Sequence, residues 1–144
     1  MGTRWQRLAF MVGLIIAGEA VFLLPFNLAR FFRPTLLDAM GFTNTQLGAA
    51  QGVYGIVAFG AYFAGGPIAD RFPAHTLLAG SLWTTALGGL YLATYPSLNG
   101  AYGLWAFFGL TTILLFWAAL IKATRVWGRE STQGRAYGLL DGGR

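Results

Sequence analysis

The chain has 144 residues, of which 56% are hydrophobic and 10% are charged, and it contains no cysteine. Charged residues make up about 25% of a typical soluble domain, so this composition indicates a membrane protein. The lack of cysteine excludes disulfides and thiolate chemistry. The net charge of +5 comes from basic residues scattered in ones and twos, which excludes the continuous basic face expected of a nucleic-acid-binding protein.

Four apolar stretches are long enough to cross a bilayer as helices, which takes about 20 residues each. The first exceeds the apolar region of a signal peptide, so we expect it to remain in the mature chain. The fold class predicted is all-α, a polytopic membrane helix bundle with four transmembrane helices plus the start of a fifth. The predicted spans are 8–32, 46–69, 75–95 and 101–124, followed by a cytoplasmic loop at 125–134 and the start of a fifth span at 135–144.

The distribution of basic residues favours a cytoplasmic N-terminus. With four crossings, eight of the ten basic residues fall on the cytoplasmic side. These eight are Arg4, Arg7, Arg71, Lys122, Arg125, Arg129, Arg135 and Arg144, and the other two are Arg30 and Arg33. We therefore expect an integral protein of a bacterial inner or plasma membrane, with the lipid bilayer as its first partner.

Residues at the predicted boundaries indicate where helices start, end and pack. Thr43 and Gln46 have the spacing of a capping box, which predicts the start of the second span. Pro34 predicts the end of the first span or a kink in it. Gly48 and Gly52 form a GxxxG pair, so we expect the second span to pack closely against other helices.

Glu19 lies near the middle of the first span, where an ionisable group costs about 3 kcal/mol. Arg30 and Phe26 lie close to the same helix face and Asn27 lies to one side, so this stripe predicts a cavity wall. Glu19 fits either a protonatable group that couples proton movement to solute movement or a fixed group that binds solute or a cation. A structural polar contact between helices is the alternative.

Polar residues on the other spans extend the predicted cavity. They are Gln51, Tyr54 and Tyr62 on the second span, and Thr111 and Lys122 on the fourth. Each also fits a structural role, because threonine and glutamine hydrogen-bond neighbouring helices and tyrosine anchors helix ends at the membrane surface.

The segment "GGPIADRF", residues 65–72, resembles the loop signature of the major facilitator superfamily, G-x-x-x-D-R-x-G-R-R. Gly66, Asp70 and Arg71 match this signature, whereas Pro73, Ala74 and His75 replace its last three residues. Two further segments resemble the same family. "GFTNTQLGAAQGVYG" resembles its entry into the second helix, and "IKATRVWGRESTQGRAYGLLDGGR" resembles its passage from the fourth helix to the fifth.

The resemblance implies a secondary transporter with two six-helix halves that move a small solute by alternating access. The chain is then the N-terminal piece of such a protein, and its partner is the missing C-terminal half. Asp70 and Arg71 would form a gating loop, with Lys122 and Arg125 as the nearest charged partners. The alternative is that Asp70 and Arg71 are solvated turn residues.

The pattern of the four helices resembles most the branch of that family that carries organic anions. Lys122 falls on its basic position in the fourth helix, whereas Phe26 stands where the branch has an arginine. The resemblance therefore implies an anionic or sugar-like solute, with export of a drug-type or other solute as the alternative. Protons are the candidate coupling ion, through Glu19.

Other functions receive less support from the sequence. The chain has five acids and one histidine, without a catalytic triad, a metal-ligand cluster or a phosphate loop, so we expect no enzyme activity and no cofactor. A small non-transporting scaffold or accessory protein with four helices is the alternative to transport.

Overall fold

The computed structural model describes residues 4–142, without the side chains of 129–132. Expectations that concern Arg144 or the side chain of Arg129 lie outside these described residues. The fold is all-α, as predicted. The described residues form six helices: α1 (Arg4–Phe31), α2 (Arg33–Met40), α3 (Asn44–Arg71), α4 (Ala74–Leu92), α5 (Leu98–Gly128) and α6. The name α6 is used for residues 133–142, the last part of the helical segment Ala118–Gly142.

Three of the described helices, α1, α3 and α5, are long and apolar enough to cross a membrane. The third predicted span corresponds to α4, which has 19 residues and is not among these three. Its serine, threonine, glycine and histidine residues lower its hydropathy, although its length would reach across a bilayer core. The prediction of four spans and the start of a fifth is therefore corrected to six helices with three candidate spans.

The boundary between α5 and α6 is a reversal of direction within helical backbone. Helical backbone continues without a break over Ala118–Gly142. Nevertheless, the Tyr137 hydroxyl donates a hydrogen bond to the Ile121 carbonyl at 3.3 Å, whereas residues 16 apart in a straight helix are separated by about 24 Å. The predicted loop at 125–134 is thus helical, and the chain turns back within it.

Two prolines shape the first part of the fold. Pro25 lies in a π-helical turn of α1, Leu23–Asn27, and this wider turn accommodates a residue that has no N–H to donate. Pro34 lies in the first turn of α2, after α1 has ended at Phe31. Of the two predicted effects of Pro34, an end of the first helix or a kink in it, the structure shows the end. The segment between the first two predicted spans contains a short helix, Arg33–Met40.

The start of α3 is fixed by the predicted capping box. The Gln46 backbone N–H donates to the Thr43 hydroxyl at 3.2 Å. The Thr43 N–H donates in return to the Gln46 side-chain oxygen at 2.9 Å. Two backbone donors that α3 leaves unpaired are satisfied in this way, so this local prediction is confirmed.

Helices α3 and α5 approach each other closely at glycine. A methyl group on Gly109 of α5 would lie 3.0 Å from the Tyr54 carbonyl oxygen and 3.3 Å from the Ala58 nitrogen of α3. Only a residue without Cβ allows the two backbones to lie so close. The expectation that this span packs tightly is therefore confirmed.

The contact does not use the glycine pair that suggested it. Cβ atoms built on Gly48 and Gly52 meet no described atom within 4 Å. The second close contact between the helices lies at Gly65, whose added methyl group would be 3.4 Å from the Ala118 Cβ. The helix face that packs is thus different from the one predicted.

Helix α4 is joined to α5 by buried hydroxyl groups. Ser81 donates to the Thr111 carbonyl at 2.6 Å, and Thr85 donates to the Thr111 hydroxyl at 2.8 Å. Gly88 continues the same face, where a methyl group would lie 2.6 Å from the Phe108 ring. This side of α4 is therefore buried against α5.

Candidate functional site

A cleft of about 390 Å³ lies between α3 and α5, and we call it the Lys122 cleft. Its described lining contains four residues predicted for the gating loop and its charged partners, together with Tyr62 from the predicted cavity. The lining residues are Tyr62, Gly65, Gly66, Ala69, Asp70, Ile113, Trp117, Ala118, Ile121, Lys122, Arg125 and Val126.

Lys122 extends from α5 to the end of α3. Its Nζ donates to the Ala69 carbonyl at 2.6 Å and to the Phe72 carbonyl at 3.2 Å. The last carbonyls of a helix lack partners within the helix and carry partial negative charge, so an ammonium group at this position stabilises them. The Lys122 side chain is half-buried, and it borders the cleft while it holds the end of α3.

Asp70 lies in the same cleft as Lys122 and Arg125. Among the described side chains it forms no salt bridge with either of them, because the Lys122 ammonium is bonded to backbone carbonyls instead. Arg71 is exposed and does not line the cleft. The structure therefore brings the predicted partners together without the predicted ion pair, and the gating role stays a prediction.

A second cleft, of about 510 Å³, lies between α1, α2 and α3, and we call it the Arg30 cleft. Three residues of the predicted cavity, Asn27, Arg30 and Gln51, line it together with Phe26, Ala29 and Arg33. Arg33 was not predicted for the cavity, since it was assigned to an external loop. It donates to the Asn44 side-chain oxygen at 2.7 Å, which connects the start of α2 to the start of α3.

Four aromatic rings connect the two clefts, and we call them the aromatic barrier. The Trp117 ring, in the Lys122 cleft, lies 6.3 Å from Phe22, and Phe22 lies 6.0 Å from Phe26, measured between ring centroids. Phe26, in the Arg30 cleft, packs edge-on against Tyr54 at 4.7 Å. Edge-to-face contacts at these distances are favourable, so the barrier is a packed unit.

Sequence analysis placed Phe26 and Tyr54 in the predicted cavity but did not identify Phe22 or Trp117 as members of a ring cluster. The spacing of Phe22 and Phe26, four residues apart on one helix face, was a signal that could have paired them. The place of Trp117 beside Phe22 depends on how α1 and α5 pack, which no local pattern in the sequence encodes.

The aromatic barrier coincides with the two irregular stretches of helix. Phe26 lies in the π-helical turn Leu23–Asn27, and Trp117 ends the π-helical stretch Leu110–Trp117 of α5. Such wider turns are rare, and they occur frequently at functional sites. This coincidence marks the barrier as a functional candidate.

Two residues of the predicted cavity are used for helix packing. Tyr54 is buried, and its hydroxyl lies 2.8 Å from that of Thr112. Thr111 is also buried and accepts the hydrogen bonds from α4 described above. For these two residues the structure matches the alternative role, hydrogen bonding between helices.

Glu19 lies outside both clefts. It is exposed on α1, whereas its neighbours Gly18 and Val21 face the interior of the bundle. A cavity that joins Glu19 to Lys122 is therefore not present among the described residues. Phe26 and Glu19 thus have different surroundings, because Phe26 lines the Arg30 cleft whereas Glu19 lines neither cleft.

Comparison with known proteins gives two relatives with similar coverage of the chain. Inner membrane protein YqcE of Escherichia coli (strain K12) is 34% identical over 139 residues, which are 96% of this chain and 32% of YqcE. Inner membrane protein YihN of the same organism is 32% identical over 131 residues, which are 91% of this chain and 31% of YihN. The chain thus spans about a third of the length of these relatives.

The other comparisons add one relative and no family. An uncharacterised protein of Mycoplasma pneumoniae is 26% identical over 142 residues, which are 90% of this chain and 30% of that protein. No family model matches the chain, and no solved structure matches it. The apolar helices and the relatives together support an integral membrane protein, whereas the orientation of its N-terminus stays a prediction.

These findings correct the assignment to the major facilitator superfamily. The relatives are named as inner membrane proteins, and their names place them in no transporter family. The resemblance rested on three short segments and on their order, and one of these segments contains Asp70. Matches this short do not establish a family when no family model matches the chain. The chain is instead similar to the inner membrane proteins YqcE and YihN.

Proposed function

We propose that the chain is part of an inner-membrane transporter for a small anionic solute, and that the two clefts hold this solute on either side of the aromatic barrier. The inner-membrane location follows the names of the two Escherichia coli relatives. The observation that carries the proposal is the placement of cationic side chains in both clefts. Lys122 and Arg125 line one, and Arg30 and Arg33 line the other.

Charge favours an anion over a cation or a neutral solute. Asp70 is the one acidic residue in the described lining of the two clefts, against four cationic residues. Arginine forms paired hydrogen bonds with carboxylates and phosphates, and lysine adds a compact positive charge. Gln51 and Asn27 in the Arg30 cleft, and Tyr62 in the Lys122 cleft, supply further polar groups for a hydroxylated anion such as a sugar acid.

Lys122 couples solute binding to the position of α3. An anion in the Lys122 cleft competes with the carbonyls of Ala69 and Phe72 for the same ammonium group. An anion carries a full negative charge, whereas a carbonyl carries only a partial one, so the ammonium is attracted more strongly to the anion than to the carbonyls. The anion therefore draws Lys122 away from the helix end. The end of α3 then loses its stabilising partner, and solute binding shifts the conformational equilibrium of this helix.

The rings of the aromatic barrier connect the two clefts, and this supports placing a gate there. In this proposal a solute passes between the clefts only when the contacts between these rings open. Phe26 and Trp117 lie in π-helical stretches of α1 and α5. At such stretches the backbone can change its hydrogen-bonding pattern. The barrier therefore acts as a gate between the two clefts.

Glu19 takes no part in this path, since it lines neither cleft. Coupling to protons through Glu19 is a separate proposal. A Glu19→Gln variant that still accumulates solute against a gradient would remove it.

A binding measurement tests the proposal. The purified protein is titrated with sugar acids, sugar phosphates and dicarboxylates, and with neutral sugars of the same size, and heat of binding is recorded. We expect binding of at least one class of anion and of no neutral sugar. Lys122→Met should weaken that binding about tenfold or more, because it removes a charge-assisted hydrogen bond, while Lys122→Arg should retain most of it. Binding that is unchanged in Lys122→Met would contradict the proposal.

A non-transporting membrane scaffold is the second candidate function. Two observations favour it: the names of the relatives give a membrane location and no cargo, and the close contacts at Gly109 and the bonds of Lys122 tie α3 firmly to α5. A folded protein that binds none of the anions would support this second function.

A further inference from the structure

A groove of about 470 Å³ lies where α1 begins, α5 ends and α6 packs back. None of its described lining residues lines either of the two clefts. Three arginines, one tryptophan and two leucines line it, and we call it the arginine groove. Its described lining consists of Arg4, Arg7, Leu8, Trp127, Arg135 and Leu139.

Arg7 and Trp127 form the fixed wall of the groove. The Arg7 guanidinium donates to the Trp127 carbonyl at 2.9 Å, and the Trp127 indole N–H donates to the Arg7 carbonyl at 2.8 Å. The guanidinium also lies 5.2 Å from the centre of the Trp127 ring, within the range of a cation–π contact. This reciprocal pair holds the start of α1 against the end of α5 and keeps the wall in place.

Arg4 and Arg135 carry the charge that remains available. Both are exposed, and neither forms a salt bridge with a side chain in the described part of the chain. The described lining of the groove contains no acidic residue. No described residue of the lining therefore neutralises these two guanidinium groups, and each presents a planar fork of N–H donors that fits a phosphate.

The groove also has an apolar part beside its charges. Leu8 and Leu139 are about half exposed and lie on α1 and α6, next to the arginines. A soluble phosphate gains nothing from such a surface, whereas the acyl chains of a lipid gain by covering it. Tryptophan beside basic residues is typical of the membrane–water interface.

We infer that the arginine groove binds the headgroup of an anionic phospholipid. The phosphodiester lies between Arg4 and Arg135, the acyl chains run along Leu8 and Leu139, and Trp127 marks the level of the interface. Basic pockets between membrane helices bind acidic headgroups through this combination of charge and apolar surface. The inference stands apart from the proposed transport function, because none of these residues lines a cleft.

Native mass spectrometry of the purified protein tests the inference. The protein is titrated in detergent with dioleoylphosphatidylglycerol and, in parallel, with dioleoylphosphatidylcholine. We expect one phosphatidylglycerol to be retained preferentially. Arg4→Gln and Arg135→Gln should each weaken its retention roughly fivefold, which corresponds to the contribution of one basic residue near an acidic headgroup.

The controls separate the lipid from a free phosphate and from loss of fold. Arg71→Gln removes the same charge at an exposed position that lines neither the groove nor the two clefts, and it should leave retention unchanged. Both groove variants replace exposed side chains, so their thermal unfolding by circular dichroism should match the parent. Equal retention of the two lipids, or unchanged retention when Arg4 and Arg135 are both replaced, overturns the inference. Displacement of the lipid by millimolar inorganic phosphate overturns it in favour of a free-phosphate site.

Discussion

The ammonium nitrogen of Lys122 on α5 lies 2.6 Å from the carbonyl oxygen of Ala69 near the end of α3. A second hydrogen bond, to the Phe72 carbonyl at 3.2 Å, makes one side chain the partner of two carbonyls at that helix end. The Lys122 side chain also lines a cleft together with Asp70 and Arg125. A structural contact and a candidate binding group thus belong to the same side chain.

Replacement of Lys122 by methionine should loosen the end of α3. In the last turn of α3 the Phe72 N–H donates to the Ile68 carbonyl at 3.2 Å. In the variant this turn lacks the two hydrogen bonds from Lys122. A lost charge-assisted hydrogen bond is worth about 1.5–3 kcal/mol, so we expect amide exchange in peptides that cover 68–76 to rise by about tenfold or more. Hydrogen–deuterium exchange by mass spectrometry measures this directly.

The control for this experiment is Lys122→Arg, which keeps a cation within reach of the two carbonyls. We expect its exchange to stay close to that of the parent protein. If the methionine variant exchanged no faster than the arginine variant, Lys122 would not stabilise the end of α3.

The close approach of α3 and α5 depends on Gly109. In Gly109→Ala the new methyl group would lie 3.0 Å from the Tyr54 carbonyl oxygen, and backbone cannot move aside as a flexible side chain can. We expect a loss of about 1–3 kcal/mol in the free energy of unfolding, measured in detergent. Gly103→Ala is the matched control, because it lies on the same helix and its added methyl group meets nothing within 4 Å. Equal stability of the two variants would contradict the packing described here.

The hydrogen bond between Tyr54 and Thr112 should stabilise the α3–α5 interface by a measurable amount. The Thr112 hydroxyl donates to the Phe108 carbonyl at 2.7 Å, which leaves its oxygen to accept from Tyr54. A double-mutant cycle with Tyr54→Phe and Thr112→Val should give a coupling energy of about 0.6 kcal/mol, which is typical of hydrogen bonds between membrane helices. Tyr62→Phe, at an exposed position of the same helix, should leave stability unchanged. A coupling energy of zero would show that the two hydroxyls do not stabilise each other.

The two ends of α3 should be accessible from opposite sides of the membrane. The chain lacks cysteine, so a single cysteine variant is labelled at one site only. Thr45→Cys changes the first turn of α3, and His75→Cys changes the first turn of α4, just after α3 ends. Both positions are exposed. The excess of basic residues predicts that His75→Cys reacts with an impermeant maleimide from the cytoplasmic side and Thr45→Cys from the other. Labelling of both from one side would contradict a crossing by α3, and the reverse pattern would contradict the predicted orientation.

Local chemistry accounts for what the sequence predicted well. The hydroxyl of Thr43 and the amide of Gln46 act within one helix turn, so their spacing alone located the start of α3. Pro34 ends the first helix for an equally local reason, since proline has no backbone N–H to donate. The all-α class followed from long apolar stretches, which cross a membrane only as helices or closed barrels.

Tertiary packing decided what the sequence could not predict. Gly48 and Gly52 have the spacing of a packing motif, yet the contacts of α3 lie at Gly65 and opposite Gly109, since the orientation of each helix depends on all its neighbours. Glu19 shares a helix stripe with Phe26 in projection but lines no cleft. The gating role of Asp70 was inferred from the family resemblance, with Lys122 as a charged partner, whereas the Lys122 ammonium donates to backbone carbonyls.

Uptake of anionic solutes into proteoliposomes tests the central claim most directly. The gene product that carries these 144 residues is reconstituted, and uptake of labelled sugar acids, sugar phosphates and dicarboxylates is compared with that of neutral sugars. The account predicts saturable uptake of an anion that is lost in Lys122→Met and largely kept in Lys122→Arg. Uptake of neutral sugars alone, no uptake of any anion by the folded protein, or full uptake by Lys122→Met would contradict it.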